Sequence, residues 1–153
     1  MLGILVKELI VIKDLNFEYY ALLNFSKFCM SHSIQLDQIL LFGDSITQRS
    51  FNPFEMGFGA NLSNLFVRKL DVVNRGFSGY NTTWCAELLP HVLKTILPCP
   101  QNDHLPSIKM ITIFLGANDS VLEGNRQYVS LNDYKKNLKK MVNMIHENDP
   151  NTR

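Results

Sequence analysis

A chain of 153 residues suffices for one domain with a real core and is too short for two ordinary ones. With 46% apolar and 19% charged residues it does not have the composition of a disordered chain. Fifteen basic against fourteen acidic side chains, a formal charge of +1, leave no single-sign field to hold a polyanion, so a nucleic-acid role gets no support.

The N-terminal stretch Met1 to Ile12 is interrupted by Lys7 and Glu8, has no basic residues ahead of its apolar part and lacks a small-x-small cleavage site. No signal peptide is therefore expected, and no run approaches the roughly 20 apolar residues of a membrane span. Cys29, Cys85 and Cys99 are odd in number and lack the close pairing of zinc or redox motifs, so they read as reduced thiols in a cytoplasmic protein. Four N-x-[ST] triplets, at Asn24, Asn61, Asn81 and Asn118, would matter only in a secreted chain. Residues 1–37 mix apolar and charged positions without a sustained period and read as an N-terminal extension; the regular pattern occupies residues 38–153.

Ile39-Leu40-Leu41-Phe42, ended by Gly43, suits a strand buried on both faces. From about Ala60 to Leu70, the positions of Leu62, Leu65, Phe66 and Leu70 predict a helix, and Asp71 to Asn74 a second strand. Asn81 or Thr82 caps the next helix, whose stripe is Cys85, Leu88, Leu89, Val92, Leu93 and Ile96, with a kink expected at Pro90. After a polar loop, Ile108 to Leu115 is a third strand closed by Gly116. Ser130 and Asp133 form a variant capping box ahead of a last helix, with Leu131, Tyr134, Leu138, Met141, Val142 and Ile145 on one side and Lys135, Lys136, Lys139 and Lys140 as a solvated face. Buried strands alternating with helices predict a three-layer α/β/α domain with a parallel sheet. Reactive groups in such folds lie beyond the carboxyl ends of the strands.

Three polar turns stand at those ends: Gly43-Asp44-Ser45-Ile46-Thr47, Arg75-Gly76-Phe77-Ser78-Gly79-Tyr80-Asn81 and Gly116-Ala117-Asn118-Asp119-Ser120. Each alone is an ordinary turn or helix cap. Their order on three successive strand ends is what points to acyl transfer, which needs a nucleophile at a tight turn and donors aimed at the oxygen that becomes negative. Ser45 supplies a hydroxyl and a backbone N–H, Gly79 a second N–H and Asn118 a side-chain amide. Phe51, Phe54, Met56 and Phe58, between the Ser45 turn and the first predicted helix, suit either a resting place for a short acyl or alkyl chain or a part of the core. No phosphate-binding loop, H-E-x-x-H pair or dinucleotide fingerprint occurs, so neither cofactor nor metal is implied.

The blocks Leu-Phe-Gly-Asp-Ser-Ile-Thr-Gln, Asn-Arg-Gly-Phe-Ser-Gly-Tyr-Asn-Thr and Phe-Leu-Gly-Ala-Asn-Asp-Ser resemble those of the SGNH, or GDSL-type, hydrolases, and most of all the isoamyl acetate-hydrolysing esterase branch. The resemblance covers roughly residues 38–148 and implies an SGNH-hydrolase (flavodoxin-like) sheet, a small-molecule ester substrate, Ser45 as nucleophile and Asn118 as oxyanion donor. The family's glycine falls five residues after the Asn of a Val-Val-Asn strand end, which selects Gly79, with Gly76 as second choice.

The family's base is the histidine of a late D-x-x-H turn, and no aspartate in this sequence has a histidine three residues on. His32, His91, His104 and His146 are the only histidines, and none is assigned as base. The chain thus reads as an SGNH domain incomplete at its C-terminus, with an open sheet edge that favours self-association. Two readings follow: a serine esterase site whose activity in this chain awaits a base, or a non-catalytic truncated form that binds esters, lipids or the intact paralogue. Acyl transfer to a sugar is a third, resting on fold analogy alone.

Overall fold

The computed structural model describes residues 36–96 and 106–148. The chain divides into two compact units, Met1–Gln35 and Leu36–Arg153. The expected extension over residues 1–37 falls almost wholly outside the described residues, as do Cys29, Cys99, His32 and His104.

Three strands, β1 (Gln38–Gly43), β2 (Asp71–Gly76) and β3 (Ile108–Phe114), form a parallel sheet in the order β2-β1-β3. The helices are a single turn α1 (Ser45–Gln48), α2 (Phe58–Leu65), α3 (Thr82–Ile96) and α4 (Leu131–Asn148), with a 3-10 turn at Pro53–Glu55. The α/β reading and all three strands stand as expected.

Burial separates the strands more sharply than their sequences do. Ile39, Leu40, Leu41 and Phe42 of the central β1 are buried on both faces, whereas β2 and β3 are mostly half-buried, because each has a strand on one side only among the described residues. The reading of all three as buried strands holds in full for β1 only. Leu40 and Phe42, two residues apart and so on one face, meet Cys85, Leu89, Val92 and Leu93 of α3 and Met141 and Ile145 of α4 in the core. Those helical residues are the stripes that the 3.6-residue period picks out.

The predicted helix from Ala60 to Leu70 is displaced. It begins at Phe58 and ends at Leu65, and the chain then turns through Arg68 in the left-handed region (φ 63°) to enter β2. Leu65 and Val67 are exposed, so the apolar spacing there does not mark a buried face. Helix α3 runs on through Pro90 to Ile96 as one element. At the start of α4, Ser130 Oγ accepts from the Asp133 N–H (3.2 Å) and donates to the Asp133 carboxylate (2.7 Å), so the cap forms with the hydroxyl serving both roles.

Candidate active site

The register places the three polar turns on one rim. Gly43, the last residue of β1, pairs with Gly76 at the end of β2 and with Phe114 at the end of β3, so Ser45, Gly79 and Asn118 follow neighbouring strand ends within a few residues.

Ser45 opens α1 and is half-buried. Asp44, buried beneath it, caps the turn by accepting from the Ile46 N–H (2.9 Å), and its own N–H donates to the Phe114 carbonyl (3.3 Å). Asn74 on β2 anchors the turn from the other side: its amide nitrogen donates to the Thr47 carbonyl (2.8 Å) and to Ser50 Oγ (3.2 Å). Neither the Ser45 N–H nor its hydroxyl meets a hydrogen-bond partner among the described residues.

The two glycines of the second turn have different tasks. Gly76 lies so close to α1 that an added Cβ would stand 2.0 Å from the Gln48 nitrogen, and its N–H is spent on Asn74 Oδ1 (2.8 Å). Gly79 has φ +80°, a conformation that costs L side chains, and open space around its α-carbon: an added Cβ would meet only Gln127 Nε2, at 3.6 Å. Its neighbour's N–H, at Ser78, donates to Gln48 Oε1 (2.8 Å), which ties this turn to α1, while the Gly79 N–H itself has no acceptor among the described residues.

Asn118 reaches the second turn directly. Its amide nitrogen donates to the Tyr80 carbonyl (2.8 Å), which occupies one of its two N–H groups. Gln127, which sequence reasoning missed, joins the pair: its Nε2 donates to the Gly79 carbonyl (2.7 Å) and to Asn118 Oδ1 (3.1 Å). Gly79 and Asn118 are thus brought together through named bonds, and Ser45 is brought to the same rim through Gln48 and the strand register. Asn81 is buried with both ends of its amide engaged, its oxygen by the Trp84 N–H and its nitrogen by the Gln127 carbonyl, so its N-x-[ST] triplet offers no glycan site in the folded protein.

Beside Ser45 opens a cleft of about 390 Å³ lined by Ile46, Arg49, Glu55, Met56, Gly57 and Phe58. Phe54 and Met56 are almost fully exposed, which corrects the core alternative for these two residues. Of the described histidines, His91 on α3 and His146 on α4 are exposed. Among the described residues no cluster of His, Cys, Asp and Glu could hold a metal ion, and no helix is long and apolar enough to cross a membrane.

Residues 41–153 match the model of the GDSL-like lipase/acylhydrolase family. The chain belongs to that family. It is similar to the isoamyl acetate-hydrolyzing esterase 1 homolog of Bos taurus, 46% identical over 114 residues that make up 73% of this chain and 43% of the relative. The isoamyl acetate-hydrolyzing esterase of Saccharomyces cerevisiae is 41% identical over 116 residues, 71% of this chain and 44% of the yeast protein. The chain therefore spans less than half the length of these curated relatives. Among solved structures, the SGNH-hydrolase family esterase AlinE4 superposes with a TM-score of 0.58 over 77% of this chain and 57% of its own, at 21% identity, a likeness of fold. This GDSL-family chain has the blocks of its family on one sheet rim, in the order read from the sequence.

Proposed function

We propose that the rim is the nucleophile and oxyanion half of a carboxylic-ester hydrolase site acting on small acyl esters, as the names of the bovine and yeast relatives suggest. In this reading Ser45 Oγ attacks the ester carbonyl carbon and gives its proton to a base, which returns it to the departing alcohol. The carbonyl oxygen, now negative, accepts hydrogen bonds from the Ser45 N–H, the Gly79 N–H and the second N–H of the Asn118 amide, the alcohol leaves, and water releases the acyl group. The observation that carries the reading is that the half-buried Ser45 and Gly79 N–H groups, neither with an acceptor among the described residues, stand on the same rim as the Ser45 hydroxyl and the Asn118 amide. The cleft with Met56 and Phe58 is the proposed resting place for the acyl or alkyl chain.

A serine hydroxyl is a weak nucleophile until a base takes its proton. Without a D-x-x-H turn among these 153 residues, the chain by itself is expected to hydrolyse esters at or near background. In a second reading the rim and its cleft bind an ester, a lipid or the intact paralogue without turnover. The test uses p-nitrophenyl acetate with the chain, with Ser45→Ala, and with a chimera that adds the part of a curated relative bearing the late Asp/His turn. Turnover gained in the chimera and abolished by Ser45→Ala supports the esterase site. A chimera that folds and stays inactive supports the binding reading.

A further inference from the structure

Gln127 is held by four hydrogen bonds, and all its partners belong to the rim or to the loop beside it. Its N–H donates to Asn125 Oδ1 (3.1 Å) and its carbonyl accepts from Asn81 Nδ2 (2.9 Å), which fixes its backbone. Its side-chain amide then spends both N–H groups, on the Gly79 carbonyl (2.7 Å) and on Asn118 Oδ1 (3.1 Å). Orientation is settled by chemistry. The Gly79 and Tyr80 carbonyls only accept, so the Gln127 and Asn118 nitrogens must face them, and the Asn118 oxygen must then face Gln127.

The consequence falls on two groups that Gln127 does not donate to. The Gly79 N–H lies in the turn Phe77–Tyr80, closed by the Tyr80 N–H on the Phe77 carbonyl (3.1 Å), and between two further pinned points, the Ser78 N–H on Gln48 and the Gly79 carbonyl on Gln127. The Asn118 amide is pinned at both atoms, by Tyr80 and by Gln127, which directs its remaining N–H. Alternatives for Gln127 are poor. Glutamate would set a carboxylate against two acceptors, and an apolar side chain would leave the Gly79 carbonyl and Asn118 Oδ1 without their donor.

We propose that Gln127 is the positioning residue of the oxyanion site, holding the Gly79 N–H and the Asn118 amide in one fixed relation before any substrate arrives. The proposal rests on the reading of the rim as an oxyanion site. Donors fixed in advance need no reorganisation when charge develops, and small displacements of such groups are costly in rate.

The experiment compares the 15N-labelled full chain with Gln127→Met, which keeps the side-chain length and removes the donors, and with Gln127→Glu. Butylboronic acid is the probe: the Ser45 oxygen adds to boron, its proton passes to solvent, and the tetrahedral boronate carries its negative charge where the oxyanion would form. Both variants are expected to shift the Gly79 backbone and Asn118 side-chain amide signals and to weaken boronate binding by about 10- to 100-fold. Core signals such as those of Leu40 and Met141 and the unfolding midpoint should stay close to wild type. Should Gln127→Met fail to fold, the same comparison is read from Gln127→Glu. Wild-type signals and affinity in a folded variant would overturn the proposal. A boronate adduct that survives Ser45→Ala would instead overturn the reading of the rim; the two amide signals need no adduct and decide on their own whether Gln127 holds Gly79 and Asn118.

Discussion

Asp119, on the turn after β3, caps helix α3 at Thr82: the Thr82 N–H donates to Asp119 Oδ1 at 2.9 Å, and the Thr82 hydroxyl donates to the same oxygen. The carboxylate is buried, and Asn137 of α4 donates to Thr82 Oγ1 (3.1 Å), so three elements meet at one oxygen pair. A negative charge at a helix N-terminus is favourable in both its hydrogen bond and its field. The turn that carries Asn118 is in this way fastened to the core one residue further on.

Asp119→Ala should therefore destabilise the fold, by about 1–3 kcal/mol, because it leaves the buried Thr82 N–H and hydroxyl without their acceptor. Asp119→Asn, which retains an acceptor oxygen, should cost less. Urea unfolding of the three forms checks the order, and equal midpoints for Asp119→Ala and wild type would refute it.

Cys85 gives a prediction with a pH sign. Burial, and then the negative charges of Asp119 and Asp44, push its thiol up from the ordinary value to about 12. The folded protein keeps the proton where the unfolded chain has lost it, so this contribution to stability is intact below about pH 9 and drains away as pH climbs toward 12. Iodoacetamide at pH 8 should leave Cys85 unmodified in the native state and label it rapidly in urea, read by peptide mass. Fast native labelling would contradict both the burial and the shift.

The glycines of the second turn should fail differently when given a methyl group. Gly76→Ala places a Cβ against the α1 backbone and should cost about 1–3 kcal/mol or more in stability. Gly79→Ala meets no close atom, and its cost is the left-handed conformation, about 1–2 kcal/mol. Thermal unfolding ranks the two. Gly79→Ala should weaken boronate binding even where it folds, because the residue escapes its strain by turning its N–H away.

How much of this was readable beforehand depends on the range of the contact. The first and third strand ends announce themselves because an apolar run stops at glycine, Gly43 and Gly116, and the second because Val72-Val73 stops at Asn74; the order of the blocks then places Ser45, Gly79 and Asn118 on a common rim without any coordinates. Leu70 misled, since its spacing from Leu62 and Phe66 is helical although the helix itself stops at Leu65. One-turn elements such as α1 have no period to detect. Asn74, Asp119 and Gln127 bond to partners 27, 37 and 48 residues away, and a polar side chain in a strand end or loop says nothing by itself about which distant backbone group it will bond.

Asn118 offers the most discriminating test of the rim. Asn118→Asp preserves the shape of the side chain and still accepts from Gln127, but it turns the nitrogen that faces the Tyr80 carbonyl into an oxygen and sets a negative charge beside a forming oxyanion. Asn118→Ala removes the donor without adding that charge. In a form of the protein that shows Ser45-dependent turnover, Asn118→Ala should lower kcat by about 10²- to 10³-fold, the usual loss of one oxyanion donor, with KM little changed. Asn118→Asp should be lower still, and its deficit should shrink as pH falls toward the carboxyl's pKa, because protonation restores a donor and removes the charge. A purely structural asparagine would give the opposite ranking, with the near-isosteric aspartate the milder change and no pH dependence of the ratio between the two variants.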